Sequence, residues 1–342
     1  MQPFDQSRLS ASCQIVTFSS VEETGKSGKV TIMSSIADPE LWPLIRDHKC
    51  NGVNLTPSGL YGDMATTATT HLWNQLMPGD RMPGLNVAEM RVVKTLIASN
   101  PQKGSGQWLE LVATADLSKS VHERDVRCHS SHVTSEGVKL HDVAHCAVRL
   151  EDETTWHAEW TQLSPLIANQ IQTLRARALT ESTGSIRTVH RARAYELFKT
   201  FVEYDGKYQA MSQVIIDSDT LEATAELRMR ASKFEGDLVG PYFLDGSCHL
   251  SGFVCNATDE DLRKNAYISH GWDAAKLSKE FDPGNGKLLQ NYVWMQPEGK
   301  DVLGGTVYVL QGDEIVGMWQ GVRFRRIPRR VLNVFLPPPK KR

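Results

Sequence analysis

Twice along this chain a helix-forming segment stands directly ahead of a run of strand-like segments, and that repeated order constrains the fold more than any other feature of the sequence. In the first half, TPSGLYGDMATTATTHLWNQL begins with Thr56, which can cap, and Pro57, which suits a first helical position; Leu60, Met64 and Leu72 can then face a core. Strand patterns run from Val87 to Trp160, as VAEMRVVKTLIA, WLELVATAD and VKLHDVAHCAVRL, divided by turn-forming clusters such as SNPQKGSGQ. In the second half, RARAYELFKTF predicts a short helix, and strands are predicted at YQAMSQVII and TLEATAELRMR. In the latter, Leu221, Ala223, Ala225, Leu227 and Met229 alternate with Glu222, Thr224, Glu226, Arg228 and Arg230, the pattern of a half-buried strand. Then SCHLSGFVCNA places Leu250, Phe253, Val254 and Ala257 at helical spacing, ahead of strands at NYVWMQ, GGTVYVLQ and EIVGMWQGVRFRRI.

Each half thus predicts one buried helix and an antiparallel set of strands, a duplicated α+β unit rather than a Rossmann fold. After Leu163 comes LIANQIQTLRARALTESTGSIRT, whose polar and small-residue tail reads as a linker and sets the boundary near Gly184, between units 1–184 and 185–342. With 342 residues and 40% hydrophobic content, the chain can bury the cores this plan requires.

Charge narrows the partners. A formal net charge of −2 gives no field that would gather nucleic acid or coat an anionic membrane, so neither is an expected partner. No apolar run reaches the roughly 18 to 20 residues of a bilayer span, and MQPFDQSRLS lacks the layout of a signal peptide, so a cytoplasmic protein is expected. The six cysteines, Cys13, Cys50, Cys128, Cys146, Cys248 and Cys255, form no CxxC pair and no regular spacing, so reduced thiols are expected and no metal site.

Two short segments carry candidate chemistry. His48 precedes Gly52 and the predicted helix start at Pro57; a histidine there can move protons near neutral pH, and free N–H groups at a helix start can stabilise an oxyanion on a thioester or ketone. Asp245 and His249 stand one helical turn apart at the start of an apolar helix, facing the same way. If the two halves lie side by side, the His48 loop and the Asp245 helix can form a His/Asp pair.

These segments resemble the paired HxxxGxxxxP and DxxxH signatures of fatty acid and polyketide synthase dehydratases, and AYELFKTFVEYDGKYQAM, from Ala194, resembles the opening of a dehydratase's second hot dog. DHKCNGVNLTPSGLYGDMA, YFLDGSCHLSGFVCN, AYISHGW and VRFRRIPRRVLNVFLPPP resemble more closely the product template domains of fungal non-reducing polyketide synthases, over nearly the whole chain. The Ser58 that follows Pro57, where dehydratases usually have glycine, fits the Pro-Ser of product templates. The resemblance implies a double hot-dog fold, two tandem units each with a central helix wrapped by an antiparallel sheet.

It also implies a function: aldol cyclisation and aromatisation of a poly-β-keto thioester carried on the phosphopantetheine of an acyl carrier domain, with no other cofactor. His48 would be the general base and Asp245 its partner, with Gly52, Pro57, His249 and His270 at the substrate. Expected partners are the carrier and the other domains of one synthase, with monomer and homodimer both open. The rivals are a 3-hydroxyacyl-thioester dehydratase using the same pair, and an inert hot dog that binds acyl chains.

Other features have blander readings. His141 and His145 share a predicted strand face with Lys139 and Arg149, opposite Leu140, Ala144, Cys146 and Val148, which is a solvated face rather than a metal pair. Cys50 lies two residues from His48, yet no other feature asks for a covalent thiol step. The glycines at 104 and 106 lack the strand–turn–helix setting of a nucleotide loop and read as a hairpin connection. From Ile315 onward the chain is basic without one acidic residue, a solvated edge or a docking surface for an acidic carrier, and its PPPKKR end reads as linker.

Overall fold

The computed structural model describes residues 8–23, 25–101, 106–120, 123–181, 184–229, 240–257, 264–279, 281 and 288–338. Much of the connection at 104–106 and of the PPPKKR end, and Arg230, lie outside the described residues. By contact the chain forms two compact units that interleave in sequence: residues 1–46, 54–152 and 232–244 in one, and 47–53, 153–231 and 245–342 in the other. The short segment with His48 therefore belongs to the same compact unit as Asp245.

The first unit is built on six antiparallel strands in the order Ile15–Val21, Ser27–Ser35, Trp108–Asp116, Asp125–Val133, Lys139–Glu151 and Gly84–Val92. Against five of them lies the helix Ser58–Leu76, whose Leu60, Met64, Ala65, Ala68 and Leu72 are fully buried. Gly59, Gly62, Ala65 and Ala68 keep its first three turns slim where the strands pack, and the buried Asp63 is satisfied by the Ser12 hydroxyl at 2.6 Å. The expected cap is absent: Pro57 is itself the N-cap residue, and the Thr56 hydroxyl is engaged with the Tyr61 hydroxyl.

Local irregularities correct two strand readings. Glu89 takes φ 55° where the register shifts between Ala88 and Arg91, which turns its carboxylate out to Arg127 and Arg149, and the strand ends at Val92. In Lys139–Glu151 register shifts break the expected alternation: Leu140 is exposed while Val143 and Ala144 are both buried. His145 is exposed and His141 half-buried, edge-on to His132.

In the second unit the strand order is Ala274–Leu277, Glu314–Pro328, Val302–Gln311, Leu289–Gly299, Glu222–Leu227, Met211–Asp217 and Ile186–His190, with Asn265–Gly271 also on Glu314–Pro328. The helix His249–Ala257, with Leu250, Phe253, Val254 and Cys255 buried, packs on this sheet. Ahead of the tail read as a linker, the segment belongs to a second helix on this sheet, Glu153–Thr180, 28 residues long. Its Trp156, Trp160, Leu163, Ile167, Ile171 and Leu174 recur every three or four residues and pack in one apolar cluster with Ile215, Tyr292, Leu310 and Met318. The strand pattern of the first half accordingly stops at Glu151 and does not reach Trp160.

This helix also changes the strand at 222–227. Thr224 is buried, not solvated, because its face carries Tyr292, its cross-strand partner, into the cluster under the long helix. The other face holds Ala225 opposite Asn291, whose amide donates to the Ser247 carbonyl just ahead of the His249 helix. Covered on both faces, the strand has no need of a polar side.

Candidate functional site

The site assembles within the second unit from three short pieces. His48–Cys50 is a three-residue strand paired antiparallel with Val202–Tyr204, so that His48 lies opposite Tyr204 and Cys50 opposite Val202. The Asp47 carbonyl accepts the Asp205 N–H at 3.0 Å, extending the ladder by one bond. Past Cys50 the chain reverses through Asn51 and Gly52, with φ of 54° and 76°. An Asn-Gly pair is among the few that adopt two successive left-handed residues at small cost, so the sequence itself sets where the His48 strand stops.

The third piece carries Asp245 and His249. Asp245 closes the short helix Pro241–Gly246, and His249 opens the helix His249–Ala257; the chain between them is not one continuous helix, as the sequence had suggested. The two side chains still meet, His249 Nε2 at 2.8 Å from Asp245 Oδ2, with exposures of only 3% and 10%. An ionised carboxylate only accepts, so toward an ionised Asp245 it is His249 Nε2–H that donates, while the buried Nδ1 has no hydrogen-bond partner.

Tyrosine rings join these pieces. Tyr204 stacks on His249 with centroids 3.9 Å apart and planes 27° apart, while His48 lies tilted 5.5 Å from Tyr204 and 5.8 Å from Tyr208. Tyr208 in turn stacks 6.0 Å from His249, and Phe198 and Phe253 close the apolar side. Burial, then the nearby Asp245 charge, pushes the Tyr204 phenol well above its ordinary value, so it stays protonated.

Two thiols border the group, and both are inert at neutral pH. Burial pushes Cys50 up to about 12 against the opposing pull of Arg329, and burial with Asp245 drives Cys248 far up. Among the described residues, no cluster of three or more His, Cys, Asp or Glu is placed to hold a metal ion.

The sequence-derived site residues are distributed as follows. His48, Gly52, Asp245 and His249 fall in this unit, the first two on the Asp47–Val53 segment. His270 also does, exposed at the irregularity between Ser269 and Gly271. Pro57 belongs to the other unit, buried at the start of its helix. Tyr204 and Tyr208 lie inside the AYELFKTFVEYDGKYQAM motif but had no role there; their spacing of four, with Gly206 between, was the available signal. The basic C-terminal run is partly neutralised: Arg323 is 2.7 Å from both Asp273 and Glu298.

No family model matches the chain. It is 43% identical over 335 residues to the non-reducing polyketide synthase PKS1 of Zymoseptoria tritici and 40% identical over 338 residues to the non-reducing polyketide synthase Preu8 of Preussia isomera, in each case over 97% of this chain. To the conidial pigment polyketide synthase alb1 of Aspergillus fumigatus it is 35% identical over 92% of its length. The chain spans only 15% of the first two relatives and 14% of the third. Among solved structures, it matches the dehydratase domain of the CurJ module of curacin polyketide synthase with a TM-score of 0.66, covering 95% of this chain and 99% of that one at 10% identity. The dehydratase domain of PpsC from Mycobacterium tuberculosis matches at 0.64 and 12% identity, over 94% of this chain and 99% of that one.

Proposed function

The chain belongs to the product template segment of fungal non-reducing polyketide synthases and has the α+β double hot-dog fold of polyketide synthase dehydratases, and from that premise we propose that it catalyses regioselective aldol cyclisation and aromatisation of a carrier-bound poly-β-keto thioester. The observation that carries this reading is the gathering of His48, Tyr204, His249 and Asp245 in one compact unit.

His48 acts as general base on a methylene flanked by two carbonyls, a carbon acidic enough for a histidine of ordinary basicity. The electron pair of the broken C–H bond passes into an enolate, which forms a carbon–carbon bond to a ketone further along the same chain. The resulting alkoxide takes the proton back from the imidazolium; removal of the second proton of the attacking carbon, with the hydroxyl leaving as water on protonation, forms the C=C bond, and enolisation of the ring ketones completes the aromatic ring. Asp245, held in place by His249, supplies the negative charge that favours the imidazolium of His48. Gly52, with no side chain, leaves the backbone open to the substrate.

No metal or thiolate enters these steps. Positioning is the main demand, because a poly-β-ketone cyclises unaided in several registers; a fixed near-attack geometry is worth up to about 7 to 11 kcal/mol of barrier. The aromatic surroundings of Asp245 and His249 favour such control by keeping water from the intermediates.

The fold neighbours support a second reading, dehydration of a 3-hydroxyacyl thioester by the same His/Asp pair. Carrier-bound 3-hydroxyacyl and poly-β-keto substrates, offered in parallel, separate the two. The proposal expects one aromatic product from the keto substrate and no enoyl thioester from the reduced one. Enoyl product without ring formation would replace cyclisation by dehydration.

A further inference from the structure

The His48 strand is short. It pairs on one edge with Val202–Tyr204 and on the other with the two-residue strand Val53–Asn54, and at the turn between, the Asn51 N–H donates to the Phe201 carbonyl at 3.3 Å. What ties this turn to an element outside the small sheet is a side chain. The Asn51 amide donates to the Leu336 carbonyl at 2.6 Å and to Asn333 Oδ1 at 2.9 Å, engaging both of its hydrogens. The Leu336 carbonyl can only accept, so it fixes which way round the amide sits.

Both acceptors come from the end of the chain, nearly three hundred residues away in sequence. The helix Arg329–Phe335 is itself anchored: the Arg329 N–H donates to the Lys264 carbonyl at 2.7 Å, Leu332 is buried, and the Leu336 N–H closes the last turn on the Leu332 carbonyl at 2.7 Å. Its first residue lies close enough to Cys50 for the Arg329 charge to act on that thiol. The turn that ends the His48 strand is thus tied to an anchored helix at its C-terminal end, by a residue whose left-handed backbone already points its side chain out of the ladder.

We propose that Asn51 is a positioning residue for His48: its amide latches the His48 strand to the Arg329–Phe335 helix through Asn333 and Leu336, and sets the attitude of the imidazole. The catalytic consequence rests on the function proposed above; the latch itself does not.

The test uses the whole chain. Asn51→Gly keeps the left-handed turn but removes both donors, Asn333→Ala removes one acceptor, and Asn333→Asp keeps it. Hydrogen exchange of the peptide covering 47–53 and the NMR titration of the His48 ring are read alongside kcat and KM in a reconstituted synthase. In Asn51→Gly, exchange is expected to rise roughly tenfold and kcat to fall roughly tenfold at unchanged KM, with a displaced His48 titration. Asn333→Ala is expected to fall between, and Asn333→Asp to behave as wild type. Unchanged exchange and titration in Asn51→Gly would overturn the latch. A wild type that forms no ring while exchange responds as expected overturns only the cyclase reading.

Discussion

At the scale of single residues, the site is a set of polar groups held among aromatic rings, and burial decides what each can do. His249 spends its proton on Asp245, so its part is to hold the carboxylate, while His48 is the histidine proposed to meet substrate. The thiol at Cys50 sits one strand pleat from His48, on the same face, and is kept protonated by burial. Folded protein at pH 8 is therefore expected to resist iodoacetamide at Cys50, with modification appearing only on unfolding; mass spectrometry of the labelled peptide checks this. Rapid labelling of the native thiol would show a reactive thiolate and revive a covalent step. The meeting of Asp245 and His249 was legible in the sequence because the two sit in a short fixed spacing. Tyr204 was not, since its role comes from a strand pairing with His48 that joins positions far apart in the chain.

At the scale of elements, the sequence was plainest where one periodicity ruled. Ser58–Leu76 and His249–Ala257 are apolar enough on their buried faces to be seen as helices. Glu153–Thr180 was missed because its buried stripe is thin and the residues between are arginine, glutamine, asparagine and threonine, so composition reads as linker while the spacing reads as helix. Its contribution is measurable: Ile171, 1% exposed in the apolar cluster, is expected to cost about 2 to 5 kcal/mol on replacement by alanine, read by denaturant unfolding. The tie of Arg177 to the fully buried Asp217 at 2.9 Å holds the same helix to the strand Met211–Asp217.

The hairpin Asp125–Val133 and Lys139–Glu151 carries a pH dependence of its own. Burial first, then the charges of His141 and Lys94, holds His132 below its ordinary value of 6.5, and burial with Lys94 does the same to His141 against the opposing pull of Asp142. One buried ring nitrogen on each has no hydrogen-bond partner. A histidine depressed in the fold binds its proton more readily in the unfolded chain. Stability is therefore full above about 6.5 and is lost as pH falls through the interval down to the folded value. Thermal unfolding of wild type and His132→Phe across that interval is expected to show a shallower loss in the variant. Parallel curves would mean that His132 does not carry the dependence.

At the scale of the whole molecule, the order of helix before strands predicted a duplicated α+β unit and the motif resemblance implied the double hot dog, a fold the solved dehydratase domains share at sequence identities near a tenth. Such likeness between nearly unrelated sequences is what the physics allows: the plan needs a small-residue helix, antiparallel strands with one or both faces covered, and turns, and many sequences meet those terms. What the plan leaves open is which compact unit each segment joins. The seven residues 47–53 are first-half sequence, yet their contacts lie with the second unit, because a three-residue strand goes wherever its partner strand is. Among the described residues no helix is long and apolar enough to cross a membrane.

The central claim is that His48 and Asp245 act together on a poly-β-ketone. It is tested most directly by product analysis of a reconstituted minimal synthase containing wild type, His48→Ala, Asp245→Ala or no such domain, with each variant first shown folded by its unfolding curve. The account expects one aromatic product from wild type, and only the spontaneous mixture of pyrones from His48→Ala and from the reaction without the domain. Asp245→Ala should retain at most about a hundredth of wild-type turnover, in line with the usual worth of a general base and its partner. The same aromatic product, at the same rate, from His48→Ala would contradict the account.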